Sequence, residues 1–191
     1  MTRTFIALEM NIHLQRHLEH VIHKVRQVLP DIRWVNPNGI HLTLAFLGEL
    51  NDALLANATE ATQVAAQRVK AFDYQLTRLS IFGTSHHPRV LWMGIHEPTN
   101  TLTTLHSILY QQLEQRGFKL DKRSFSPHLT LARAKAPLSP SEQQHLQQLL
   151  EGKQHSIVST EFYQVQHIDV IKSELSRTGA TYTSLHSFPL L

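Results

Sequence analysis

Apolar residues along this chain follow two alternating periods. The run "RTFIALE" at 3–9 reads as a first strand, and Leu14, Leu18, Val21, Val25 and Leu29 then recur at helical spacing through a segment that Pro30 closes. "GIHLTLAFLGEL" at 39–50 predicts a second strand, followed by a helix from about Asp52 to Ala71 on Leu55, Ala58, Ala65 and Val69. "YQLTRLSIF" and "RVLWMGI" read as a paired ribbon whose loop, "GTSHHP", is punctuated by Gly83 and Pro88. A third helix spans about Asn100 to Arg116 on Leu102, Leu105, Ile108, Leu109 and Leu113, with Gly117 as its stop. After the polar connection "FKLDKRSFSP" comes the strand "HLTLARA". Ser139, Pro140 and Glu142 then spell a capping box opening a helix to about Glu151. The tail predicts two strands, "EFYQVQHIDVIKSEL" and "TYTSLHSF", joined by the turn "SRTGA".

Strands and helices interleaved by short connections, several of them hairpins, predict an α+β fold rather than a doubly wound parallel sheet. No linker rich in Gly, Pro or Ser divides the chain, so residues 1–191 read as a single domain with a core of its own. Neither GxGxxG nor GxxxxGK[ST] occurs, which argues against a nucleotide-hydrolysing engine. Cysteine is absent, excluding disulfides, thiolate metal sites and a cysteine nucleophile and fitting a reducing compartment. No apolar run reaches the roughly 18 residues of a membrane helix, and "TFIAL" is too short for a secretory signal. A cytoplasmic protein without a membrane partner is expected.

The pentamer HLTLA occurs twice, at 41–45 and 128–132. Strand alternation puts His41 and Thr43 on one face and Leu42 and Leu44 on the other, and His128 and Thr130 repeat the arrangement. Side chains at i and i+2 stand roughly 6.5 to 7 Å apart, so an imidazole and a hydroxyl can touch different oxygens of one phosphate-sized group. One such pair is ordinary in a strand; two identical copies near half the chain length imply related halves related by a pseudo-twofold axis, their polar faces turned to a shared cleft. Two imidazoles across a bound group suit acid–base catalysis, one taking a proton from the nucleophile and the other giving one to the leaving oxygen. The threonines would hydrogen-bond non-bridging phosphoryl oxygens, and a phosphodiester could be opened without a metal.

Lys and Arg number 18 against 15 acidic residues, a formal +3, compatible with a phosphate-bearing partner but short of a duplex-binding stripe. Of the 14 histidines most must be bystanders. His13, His17 and His20 share one helix face at metal-chelating spacing, but it is the polar face and no HExxH glutamate accompanies them, so a solvated face is the better reading. His86 and His87 belong to a surface loop. Phe46, Trp34 and Trp92 sit in apolar contexts that predict core positions, while Phe5 and Phe125 fit either core or site. Arg3, Arg89, Arg123 and Arg133 are each able to meet phosphate or stack on a base.

On these motifs the chain resembles the two-histidine phosphoesterases, and among them the RNA 2',3'-cyclic phosphodiesterases, historically called 2'-5' RNA ligases. The resemblance runs through "RTFIALE", "RWVNPNGIHLTLAFLGEL", "HPRVLWMGI", "RSFSPHLTLAR" and "IKSELSRTGATYTSLHSFPL". It implies a bilobal α+β fold with two antiparallel sheets lining a central groove, one His-x-Thr motif per lobe (41–44 and 128–131), and no cofactor or metal. It further implies hydrolysis of RNA 2',3'-cyclic phosphate ends, tRNA-derived ends among them, to 2'-phosphomonoesters by a monomer, with reversible 2'-5' ligation where a 5'-hydroxyl RNA end replaces water. By the family pattern His41 carries over as proton donor and His128 as proton acceptor, Thr43 and Thr130 as phosphate contacts, and Arg133 as a base-stacking or phosphate-binding residue, although strict alternation puts Arg133 off the histidine face. The loop "TSHHP" stands where the family commonly carries arginines. Rival readings are a small cyclic nucleotide such as ADP-ribose 1'',2''-cyclic phosphate as substrate, a non-catalytic RNA-end-binding module, and a metal hydrolase built on the helix histidines.

Overall fold

Strand alternation and helical stripes resolve, in a computed structural model that describes residues 1–151, 161–176 and 179–191, into the order β1 (Thr2–Glu9), α1 (Ile12–Arg26), β2 (Arg33–Trp34), β3 (His41–Leu50), α2 (Asp52–Ala66), β4 (Phe72–Gly83), β5 (Pro88–His96), α3 (Thr101–Gln115), β6 (His128–Arg133), α4 (Pro140–Leu150), β7 (Phe162–Val165), β8 (His167–Leu175) and β9 (Ala180–Pro189). Side-chain caps set the helix starts: Asn11 accepts the Leu14 amide at 2.9 Å, Asn51 accepts that of Leu54 at 2.9 Å, and Ser139 and Glu142 form the reciprocal box. Gly117, at φ +86°, ends α3 in the left-handed region that glycine enters without strain. α2 stops at Ala66 rather than Ala71, because Val69 and Ala71 turn their backbone groups to Leu191 instead.

Every strand pairing is antiparallel, and together they make one sheet in the order β7-β4-β5-β6-β3-β1-β8-β9, with β2 added beside β6. The two sheets expected from the family pattern are thus one continuous sheet, but its halves meet at a narrow seam: β3 and β6 pair only through Leu42 and Leu129. Each is the second residue of an HLTLA pentamer. The tail strand expected over 161–175 breaks at Gln166, since β7 pairs with β4 at one edge of the sheet while β8 pairs with β1 in the other half. Successive Cα atoms lie about 3.8 Å apart, so the sheet must curl until its ends approach. Leu190 and Leu191 close the gap, bonding Gln166, Val69 and Ala71 through their backbones. Of the expected turn "SRTGA", residues 177 and 178 lie outside the described residues.

The helices pack on one face of this curled sheet. Leu42, Leu44, Leu129 and Leu131, none more than 3% exposed, join Leu14 and Leu18 of α1, Ala58 and Ala61 of α2, and Leu105 and Leu109 of α3 in the main core. Burying each such leucine contributes about 1.5–3 kcal/mol. Phe5, Ala7 and Ile171 form a separate cluster on the opposite face, the one that carries the histidines. Among the described residues no helix is long and apolar enough to cross a membrane.

Candidate active site

His41 and His128 each open a strand, and each ring is held in the same way. The 3-10 turn Pro37–Gly39 brings the Gly39 carbonyl to 2.8 Å from His41 Nδ1, and the Ser126 carbonyl lies 2.7 Å from His128 Nδ1. A carbonyl only accepts, so in both rings Nδ1–H donates and Nε2 is left to face solvent or substrate. The seam brings the two motifs together: in an antiparallel pairing centred on Leu42 and Leu129, His41 falls opposite Thr130 and Thr43 opposite His128. All four polar side chains are half-buried.

A β-bulge follows the threonine in both motifs. In β3, Ala7 pairs with Thr43 and Ile6 with Ala45, so Leu44 falls between partners; in β6, Trp92 pairs with Thr130 and Leu91 with Ala132, so Leu131 does. Leu44, Ala45, Leu131 and Ala132 are consequently all buried, and the alternation resumes one residue late. Phe46 and Arg133 therefore turn to the histidine face, whereas unbroken alternation would hide them. This corrects the core position expected for Phe46, which is 67% exposed and stands with its ring centroid 5.9 Å from that of Phe5.

Aromatic rings bracket both imidazoles. Phe5 lies 4.5 Å from His41 by ring centroid and Tyr182 meets it edge-on at 4.9 Å; Phe82 meets His128 edge-on at 4.9 Å, with Trp92 at 5.7 Å. Trp92 thus belongs to the site face rather than wholly to the core, while Trp34 packs against the core and donates Nε1–H to the Leu29 carbonyl at 3.2 Å. Burial among the rings lowers the His41 pKa below its ordinary value; the Gly39 carbonyl opposes that, and the Arg133 cation adds to the lowering. Arg133 thus acts electrostatically on the histidine of the other motif. The signals missed in the sequence are Phe5's pairing, Phe82 and Tyr182, since aromatic residues in strands give no sign of which face they take.

The remaining candidates stay apart from this face. His13 and His20 are exposed on α1, and among the described residues no three or more His, Asp or Glu side chains gather into a group that could hold a metal. His86 bonds the Gln143 side chain on α4 at 2.7 Å, and Arg123 pairs with Asp121. Phe125 stacks on His106 of α3 at 3.9 Å. A cavity of about 300 Å³, lined by Asp31, Arg33, Lys135 and Glu142 among others, lies beyond the end of β6 and includes neither motif histidine.

Residues 14–176 match the model of the 2'-5' RNA ligase superfamily. The chain belongs to that superfamily. Over 190 residues it is 30% identical to an RNA 2',3'-cyclic phosphodiesterase of Geobacillus stearothermophilus, covering 98% of this chain but 57% of that relative's length. An RNA 2',3'-cyclic phosphodiesterase of Methanothermobacter thermautotrophicus is 24% identical over 188 residues, 98% of either chain. Among solved structures, the Thermus thermophilus protein TT0787 superposes with a TM-score of 0.81 at 25% identity, over 98% of this chain and 97% of that one. Membership of the superfamily thus agrees with the mixed α+β architecture.

Proposed function

We propose that this protein is a cyclic phosphodiesterase that hydrolyses RNA 2',3'-cyclic phosphate ends to 2'-phosphomonoesters, using His41 and His128 and no metal. The observation that carries the reading is the pair of imidazoles on one open face, each with Nδ1 tied to a carbonyl and Nε2 presented. The names of the two relatives support the substrate class.

In the forward reaction His128 Nε2 takes a proton from water as its oxygen attacks phosphorus. The P–O3' bond breaks, and His41 Nε2–H delivers its proton to the departing 3'-oxygen, leaving a 3'-hydroxyl and a 2'-phosphate. Thr43 and Thr130 donate to the non-bridging oxygens, and Arg133 adds positive charge beside them. Burial and Arg133 hold His41 toward its neutral form in the free protein. A phosphate anion bound between the two offsets the Arg133 charge and draws a proton onto His41, so the donor is loaded once substrate is in place. With a 5'-hydroxyl RNA end in place of water as nucleophile, the same displacement forms a 2'-5' linkage and releases the 3'-hydroxyl. The enzyme acts as a cytoplasmic monomer, with tRNA-derived ends among its substrates.

The test is substrate profiling. An oligoribonucleotide ending in a 2',3'-cyclic phosphate should be turned over with a higher kcat/KM than ADP-ribose 1'',2''-cyclic phosphate. The opposite preference would replace RNA by a small cyclic nucleotide, and binding of the RNA end without turnover would make the protein a binding module.

A further inference from the structure

Arg33 and Arg133 stand directly opposite each other where β2 pairs with β6. The next pair along is Trp34 with Ala132, of which Ala132 is fully buried and Trp34 packs against the core. Alternation therefore turns Arg33 and Arg133 to the opposite face, that of the histidines, and both are exposed. Like charges directly across a ladder destabilise a sheet, and such pairs ordinarily recruit a carboxylate. Here neither guanidinium has one within 4.0 Å among the described residues, where ion pairs such as Arg116 with Glu60, Arg123 with Asp121 and Lys172 with Glu174 lie elsewhere. Arg33 also reaches toward the other half of the sheet: a Cβ built on Gly179, in the β8–β9 connection, would lie 3.8 Å from its Nη2. The two cations thus stand side by side on that face, neither in an ion pair among the described residues, with Arg33 also lining the cavity that holds Asp31 and Glu142 and Arg133 acting on His41.

We infer that Arg33 binds the phosphodiester adjacent to the reacting phosphate, so that Arg133 and Arg33 read two successive phosphates and favour a polynucleotide end over a mononucleotide. The inference rests on the cyclic phosphodiesterase reading of the site. Opposed cross-strand residues lie roughly 4.5–5.5 Å apart at their Cβ atoms, and two long side chains starting there can diverge to span one ribose. A guanidinium takes a phosphate through two parallel N–H···O bonds, and an anion on each removes the repulsion the empty pair sustains. A mononucleotide cyclic phosphate offers only the reacting phosphate and leaves Arg33 unused.

The experiment compares kcat/KM for a nucleoside 2',3'-cyclic phosphate and for an oligoribonucleotide ending in the same cyclic nucleotide, in the wild-type protein, Arg33→Gln and Arg33→Lys. For Arg33→Gln the ratio of oligonucleotide to mononucleotide kcat/KM should fall about tenfold, the scale of one charge-assisted contact, chiefly through KM. Arg33→Lys, which keeps the charge but loses the fork, should recover part of the ratio. The slope of log kcat/KM against log salt on the oligonucleotide should become shallower by about 0.7 in Arg33→Gln, one single-strand phosphate contact fewer. A ratio that stays at the wild-type value, or equal losses on both substrates, overturns the subsite while leaving the cyclic phosphodiesterase reading standing. Absence of wild-type turnover on both substrates overturns that reading itself, and the subsite with it.

Discussion

An imidazole whose Nδ1 is held by a carbonyl two residues back can turn only Nε2 to a substrate, and both motif histidines are held in this way. Their loss should therefore remove proton transfer and not merely a contact: His41→Ala and His128→Ala should each lower kcat by roughly 100-fold or more, with a smaller change in KM. Thr43→Ala and Thr130→Ala, each removing one neutral hydrogen bond to the phosphoryl group, should cost less in the same steady-state assay. A threonine variant slower than both histidine variants would contradict that division of labour. Arg133 offers a sharper check on the electrostatics. Its cation is one of the causes that lower the His41 pKa, so Arg133→Gln should move the His41 titration, followed by NMR in the free protein, to higher pH. An unmoved or lowered midpoint would show that the charge does not reach the ring. The His-x-Thr pairs were legible as letters, because repetition of HLTLA exceeds what strand composition produces. Phe46 and Arg133 were not, because a period-two reading cannot foresee the residue that each bulge inserts.

At the scale of elements, what the sequence specifies locally could be read and what depends on partners could not. The capping box at Ser139 and the glycine stop at Gly117 are short-range chemistry, and α4 starts and α3 stops where those residues stand, while the caps at Asn11 and Asn51 emerge only in the fold. The division of the tail into β7 and β8 depends on which strand each half finds, and no residue near Gln166 announces it. The connection from α3 to β6 is a further case. Its Phe125 stacks on His106 at 3.9 Å and 13°, Tyr110 lies 4.0 Å from the same ring, and burial pulls the His106 pKa down to about 4. Because the unfolded chain keeps a histidine near its reference value of about 6.5, it binds more protons than the folded one between those values. Stability is then complete above that window and declines as pH falls through it. His41 contributes with the same sign. In urea denaturation, His106→Phe should keep the stack and lose less stability than the wild type between pH 7 and pH 5. An identical acid dependence would show that His106 protonates freely in the fold. The stack fixes Phe125, the residue before Ser126, whose carbonyl faces His128 Nδ1.

For the whole molecule, the decisive arrangement is a single antiparallel sheet pinched at Leu42 and Leu129 and curled until its ends are tied by the last residues of the chain. Helices cover the leucine face, and the opposite face carries two histidines, two threonines, Arg33 and Arg133. The α+β class followed from the order of periods, but continuity through the seam could not, because one pair of leucines joins the halves. On the proposed reading, every side chain assigned to the reaction comes from β3 and β6, with Arg33 of β2 beside them. The central claim, that these side chains open a 2',3'-cyclic phosphate by proton transfer alone, is tested most directly by ³¹P NMR of the product from adenosine 2',3'-cyclic phosphate in excess EDTA. The wild-type protein should yield the 2'-monophosphate, and neither His41→Ala nor His128→Ala should do so at a comparable rate. A 3'-monophosphate product, activity abolished by EDTA and restored by zinc or manganese, or a histidine variant as active as the wild type would contradict it.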